Sequence, residues 1–296
     1  MTDQPKGFSA DLLTFDQRAE RYMKFIRSVE TRRFMTGLYD LDHVIRGVAP
    51  GEVMTIIAYS GTYKSAYLQH LLNQFGARTK TYQLFFSQEM PAETVFEREV
   101  QMGCRVSGSE VEKHYKDVTE STAWMHEQSE KKGSKYVLVC EKSRLTLDKM
   151  AKYCEVARAK WGEVGCIGID YLGLMAGDGK TIFERISDLS YGIKDMAKQL
   201  MVPIILLGQV NRAYSASKGV EIEMDAAKGG GDIEAGADFM LGLFMYEEDL
   251  ILKVLKNRKG RKNIHFKLGL DPDTFCFSGC EPWEPPKQTK RGREAF

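Results

Sequence analysis

A short apolar run, Val53–Ile57, passes directly into Ala58-Tyr59-Ser60-Gly61-Thr62-Tyr63-Lys64-Ser65, and a helical pattern follows from Ala66 to about Phe75. No other feature restricts the fold as much. A continuous apolar run is what a strand covered on both faces requires, which points to a parallel sheet flanked by helices. Four more runs have the same character: Tyr82–Ser87, Tyr136–Cys140, Cys166–Asp170 and Pro203–Gly208. Helical patterns lie between them, among them Leu147–Trp161, with Thr146 as its N-cap, and Ile182–Leu200. The expected class is α/β with a mostly parallel central sheet. After Asp238 the texture changes to closely spaced short strands, Phe239–Phe244, Ile251–Lys256, Asn263–Leu268 and Thr274–Phe277, with a hairpin turn at Lys259-Gly260-Arg261.

This core is expected to span residues 35–280. Ahead of it, residues 1–34 read as an arm and a short amphipathic helix, with Phe15, Ala19, Tyr22, Phe25 and Ile26 on one face. Periodicity does not decide whether that face packs on its own domain or on a neighbouring subunit. Residues 281–296 carry prolines and basic residues without a core pattern and read as a flexible tail. No run approaches the roughly 18 apolar residues of a membrane helix. The N-terminus lacks a basic stretch followed by an apolar one, so the expectation is a cytoplasmic protein with no membrane partner. Of the six cysteines, Cys140, Cys154 and Cys166 read as small core residues, and the lone pair Cys276 and Cys280 is too little for a zinc site. Lysine and arginine total 42 against 41 acids, so only the distribution of charge can bear on a nucleic-acid partner.

The loop at 58–65 has the layout of a phosphate cradle. Backbone N–H groups and a helix N-terminus bind phosphate, lysine bridges the outer phosphates, and the hydroxyl holds Mg²⁺. Against G-x-x-x-x-G-K-[ST], Ala58 and Tyr63 replace both glycines. A tyrosine at 63 is expected only with ordinary backbone angles and its ring turned away. The residues expected at nucleotide are Ser60, Gly61, Thr62, Tyr63, Lys64 and Ser65. The competing reading is a chance Lys-Ser at a helix start. Two acids weigh against it. Asp170 ends a buried strand, where it can support Mg²⁺ with Ser65, and Glu89 follows another, where it can activate water. Gln209 ends a third, where an amide can sense the γ-phosphate.

These segments together resemble the C-terminal RecA-like ATPase domain of DnaB-type replicative helicases, over about residues 36–278. Thr36-Gly37-Leu38-Tyr39-Asp40-Leu41-Asp42 is similar to the family's T-G-x-x-x-L-D, and alanine at the first P-loop position is common there. Phe86-Ser87-Gln88-Glu89-Met90-Pro91 is similar to F-S-L-E-M-P, whose glutamate is the catalytic base. Ile169–Met175 resembles the Walker B strand, Gly208–Arg212 resembles S-Q-L-N-R, 230–238 resembles S-G-x-I-E-Q-D-A-D, and Lys256–Gly260 resembles K-x-R-x-G. Tyr63 departs from the pattern, as does the short segment ahead of the ATPase domain.

The resemblance implies a RecA-like P-loop NTPase that hydrolyses ATP with Mg²⁺ in a homo-oligomeric ring, a hexamer. The ring translocates on single-stranded DNA, 5′ to 3′, and works with a primase, polymerase or loader. It implies that Arg258 and Lys256 reach the neighbour's ATP. Without it, the six basic residues and no acids of 253–262 would read as a solvated hairpin face. It assigns DNA contact to Lys228, Gly229, Gly230 and Gly231 and to 177–181, where a plain flexible loop is the competing reading. It implies that the leading helix docks on the adjacent subunit. Two alternatives stay open: a ring or filament module that binds ATP with little or no hydrolysis, and a strand-exchange recombinase of the same fold.

Overall fold

The computed structural model describes residues 12–117, 120–177, 181–210, 221–226 and 231–286. Nine strands form one sheet in the order β3-β2-β4-β5-β1-β6-β7-β8-β9. They are β1 (Val53–Ala58), β2 (Tyr82–Ser87), β3 (Val137–Cys140), β4 (Val164–Asp170), β5 (Ile204–Gln209), β6 (Phe239–Tyr246), β7 (Asp249–Asn257), β8 (Ile264–Asp271) and β9 (Cys276–Trp283). The first six in that order pair in parallel, and β7, β8 and β9 add antiparallel. β6 therefore completes the parallel half, beside β1, although its spacing in sequence groups it with the hairpins that follow. β9 starts two residues later than the sequence suggests and runs to Trp283, past the expected domain end at 280.

The described helices are α1 (Phe15–Val29), α2 (Tyr39–Ile45), α3 (Lys64–Thr79), α4 (Ala92–Cys104), α5 (Gly108–Lys116), α6 (Glu120–Lys131), α7 (Leu147–Trp161), α8 (Ile182–Leu200) and α9 (Gly231–Gly236). The core lies on both faces of the sheet. Met150 and Cys154 of α7 and Ile186, Leu189 and Ile193 of α8 cover one face. Leu41 and Ile45 of α2 and Tyr67, Leu68, Leu71 and Phe75 of α3 cover the other. β1 is buried along its whole length, as the uninterrupted apolar run requires. Cys140 packs against the core but is only half-buried, because it ends β3, which has a neighbour on one side only.

The Thr36–Asp42 segment is a local staple. The Asp42 carboxylate accepts from the Thr36 N–H and hydroxyl, both at 2.8 Å, and from the Gly37 N–H at 2.9 Å. Burial raises the Asp42 pKa, and these bonds partly offset that. α1 begins with a reciprocal capping box between Thr14 and Gln17. Only Val29 of this helix is buried, whereas Phe15 is 74% and Tyr22 63% exposed, so its apolar face has no partner among the described residues.

Candidate functional site

Parallel strands bring their C-terminal ends to one edge, and the chemistry collects there. β1 ends at Ala58, in register with Gln209 of β5. β4 ends at Asp170, in register with Ser87 of β2, and the Gln88 N–H donates to the Asp170 carbonyl at 2.8 Å. Segments 60–66 and 89–90 line a cavity of about 300 Å³, together with Arg98 and Phe275. The edge thus unites Ser60, Gly61, Thr62, Tyr63, Lys64, Ser65, Glu89, Asp170 and Gln209. Gln209 and Asp170 share this edge but do not line the cavity.

The loop itself is built for an anion. Gly61 has φ 82°, a conformation open to glycine, and a Cβ there would meet no atom within 4 Å. α3 starts without a side-chain cap, and its first intrahelical bond is Tyr67 N–H to Tyr63 C=O at 2.9 Å. The earlier N–H groups therefore face the cavity end of the helix, where the dipole favours negative charge. Tyr63 overturns the expectation of ordinary backbone angles: φ is 47° and ψ 13°, in the left-handed region. The backbone takes the conformation that glycine would, and the tyrosine bears the strain, about 1–2 kcal/mol for an L-residue. The ring leans toward Phe275 in the turn before β9, with centroids 6.3 Å apart, and both residues line the cavity.

Lys64 is 8% exposed, and its Nζ lies 3.5 Å from Glu89 Oε2 and 5.6 Å from the Tyr171 ring centre. Glu89 is exposed. Asp170 is fully buried, and neither carboxylate oxygen has a hydrogen bond of good geometry among the described residues. Burial raises its pKa, while the nearby Ser65 hydroxyl and Lys64 pull it down. A buried carboxylate with open lone pairs beside a hydroxyl is the donor set that a hard cation takes.

Two lining residues escaped sequence reasoning. Arg98 of α4 adds a second cation, and burial lowers its pKa against the pull of Asp170 and Glu89. Phe275 seats both the Tyr63 ring and the Arg98 guanidinium, the latter 5.1 Å away. Nothing local marks Phe275, which arrives from the far end of the chain. For Arg98 a signal existed: Pro91 followed by Glu93 marks the start of α4, the helix that carries it.

Arg258 and Lys256 are not brought to this cavity. β7 ends beside the start of β6, with Asn257 in register with Phe239, whereas Ala58 is in register with Leu243. Four residues of strand separate the two edges, about 13 Å at 3.3 Å per residue. Arg258 donates to Asp238 Oδ1 at 3.0 Å and is half-exposed, and Lys256 Nζ donates to the Glu234 carbonyl at 2.6 Å. Burial and the adjacent Arg258 lower the Lys256 pKa. Asp238 also accepts from Lys194 Nζ at 2.5 Å and the Val53 N–H at 2.8 Å, so it ties α8 and the start of β1 to this turn. Lys228, Gly229 and Gly230 lie outside the described residues, as do 178–180, while Gly231 opens α9.

With this geometry in place, a family model described as the DnaB-like helicase C-terminal domain matches residues 34–271. The chain belongs to that family. Among curated proteins it is similar to the replicative DNA helicase DnaB of Haemophilus influenzae, 25% identical over 225 residues, covering 73% of this chain and 46% of that protein. The DnaB of Treponema pallidum is 26% identical over 231 residues, covering 76% and 51%. The chain thus spans about half the length, or less, of the curated relatives it matches. Among solved structures, a DnaB-like replicative helicase studied for its interactions with primase aligns with TM-score 0.77 at 17% identity, over 91% of this chain and 68% of that one. A solved ATPase domain gives 0.79 at 17%, over 90% and 99%. The fold of this DnaB-family domain is RecA-like α/β, as its sequence implies. No described helix is long and apolar enough to cross a membrane.

Proposed function

We propose that this chain is the ATP-hydrolysing motor of a ring-shaped replicative helicase that moves along single-stranded DNA and unwinds duplex. The observation that carries this is the separation of parts. Lys64, Ser65, Asp170 and Glu89 share one sheet edge, while Arg258 and Lys256 stand at the opposite edge. Arg258 cannot serve its own cavity across that span, so it fits the neighbour's ATP in a homo-oligomer, six-fold by the family's example. The motor runs from about residue 35 to the end of β9 at Trp283. α1, with its bare apolar face, docks on the adjacent subunit.

In this reading Lys64 leaves Glu89 for the outer phosphates when ATP enters, and Glu89 is then free to take a proton from the attacking water. The 3.5 Å pair is weak enough for this exchange, because Glu89 is open to solvent. Arg98 adds positive charge within the same subunit. Mg²⁺, held by Ser65 and Asp170, would neutralise charge on the phosphates. Gln209, one strand from the P-loop, reports the γ-phosphate to the segment that follows it. Lys228, Gly229, Gly230 and Gly231 meet the DNA backbone, together with 177–181. A cytoplasmic setting and a primase, polymerase or loader partner follow the family pattern, and the solved relative's primase is the nearest support.

Hydrolysis stimulated by single-stranded DNA, with unwinding of a forked duplex, tests the reading. Lys64→Ala or Glu89→Gln should each lower turnover by about 10²–10⁴-fold; an enzyme indifferent to both would overturn it. Lys64→Ala mixed with Arg258→Ala should regain activity, since a mixed interface restores one intact site, and no recovery would refute action in trans. The second reading, a module that binds ATP with little or no hydrolysis, is favoured by Tyr63; tight ATP binding with no turnover on any DNA would support it.

A further inference from the structure

β3 is the outermost strand of the parallel half, and the loop at 141–146 leads from it into α7. This loop and the first turns of α7 enclose a second cavity, of about 390 Å³, on the same edge as the nucleotide site. Its charged lining has one sign: Lys142, Arg144, Lys149 and Lys152, with no acid among the lining residues. All four are exposed, and none forms an ion pair with a described residue. In a chain of 42 basic and 41 acidic residues, that clustering is a local departure. Lys149 also lies in the first turn of α7, where the helix dipole disfavours a cation. Asp148 shares that turn but pairs with none of the four. Such an arrangement is unfavourable in the free protein and favourable once an anion enters.

The floor is apolar. Leu145 is buried, and Tyr153 and Val156 complete it. The Tyr153 ring meets Phe86 of β2 edge-on at 6.2 Å, so it is held in place. The loop is fixed at both ends: Glu141 Oε2 accepts from the Ala92 N–H at 2.7 Å, and the Leu145 carbonyl accepts from the Ala176 N–H at 3.1 Å. The second bond joins the pocket to the segment after β4 that leads into 177–181.

Cations around an apolar and aromatic floor suit a charged backbone with a planar base, which is the chemistry of single-stranded nucleic acid. We propose that this pocket is an accessory contact for single-stranded DNA, its phosphates on Lys142, Arg144, Lys149 and Lys152 and a base against Tyr153 and Val156. The bond to Ala176 sets it beside the segment that follows β4. The proposal rests on the DNA-binding part of the function proposed above.

The test is a triple variant, Lys142→Gln with Lys149→Gln and Lys152→Gln, in the full chain. Anisotropy with labelled oligothymidylate is followed across a salt series. The expected result is binding weakened on the order of 10–100-fold at low salt. The slope of log affinity against log salt should fall by about 2, at about 0.7 for each lost phosphate contact. ATPase without DNA should be unchanged. Wild-type affinity and slope in the variant would overturn the pocket alone, and so would equal loss of basal ATPase, which would mark the loop as structural. Poly-glutamate competing as well as oligothymidylate, charge for charge, would assign the site to acidic peptides and overturn it. A wild-type chain that binds no oligothymidylate would overturn both the pocket and the helicase reading, and Lys228→Ala run alongside separates the two contacts.

Discussion

Tyr63 offers a clean test of how the nucleotide loop is built, because its backbone and its ring make opposite contributions. At φ 47° the residue is in a region that costs an L-amino acid about 1–2 kcal/mol and glycine almost nothing. The ring, half-buried against Phe275, contributes packing in return. Tyr63→Ala and Tyr63→Gly both lose the ring, so the difference between them isolates the backbone. Alanine gains about 0.4–1 kcal/mol over glycine from its stiffer unfolded chain. The left-handed cost outweighs this, which leaves glycine the more stable by about 0.5–1 kcal/mol. Urea denaturation of the two variants at neutral pH, compared through their midpoints at equal slope, reads that difference directly. In an ordinary helix start the order would be reversed. Both variants should retain ATP binding, since the loop amides keep their directions. Alanine equal to or more stable than glycine would refute the left-handed backbone, and with it the claim that tyrosine mimics the missing glycine.

Glu99 of α4 is 8% exposed, and burial raises its pKa from 4.5 to about 8. The folded state then holds a proton that the unfolded state releases, so stability falls as pH rises from about 4.5 toward 8. Glu99→Gln should gain about 3 kcal/mol on wild type between pH 4.5 and pH 7; a variant-minus-wild-type difference in melting that does not move with pH would contradict this. His70 lines a small cavity together with Glu99; burial lowers its pKa to about 4, so its contribution to stability is lost as pH falls below its unfolded value. That contribution cancels in the difference. Asp238→Ala should destabilise by about 3–5 kcal/mol, because it strands the buried end of Lys194 as well as Arg258; chemical denaturation within about 1 kcal/mol of wild type would show that the hub carries little.

Much of the fold is legible locally. α7 begins and ends where the sequence places it, because Thr146 caps its first turn through a bond to the Lys149 N–H. α8 likewise spans Ile182–Leu200, behind the Thr181–Glu184 capping box. The strand runs are legible because each is covered on both faces. The helices α4–α6 were not anticipated, although Ser107 and Glu110 form a capping box that announces α5. The site was legible as a set of residue types at strand ends. Its lining was not, since Arg98 and Phe275 join the P-loop only through packing between distant segments.

The sequence by itself determined that a strand would pass through a small-residue loop into a helix opening at Lys64-Ser65, and that Asp170, Glu89 and Gln209 would reach the same edge. Period and strand polarity suffice for that, because every parallel strand delivers its C-terminal residue to one side. Only the tertiary structure decided where Arg258 and Lys256 stand, since the antiparallel turn of β7 carries them back to the opposite edge. Only it decided how Tyr63 is tolerated, because dihedral angles answer to the packing of the whole loop and not to residue type. The same holds for the bare face of α1: periodicity supplies an apolar stripe, and only the folded core shows that nothing within the described chain covers it.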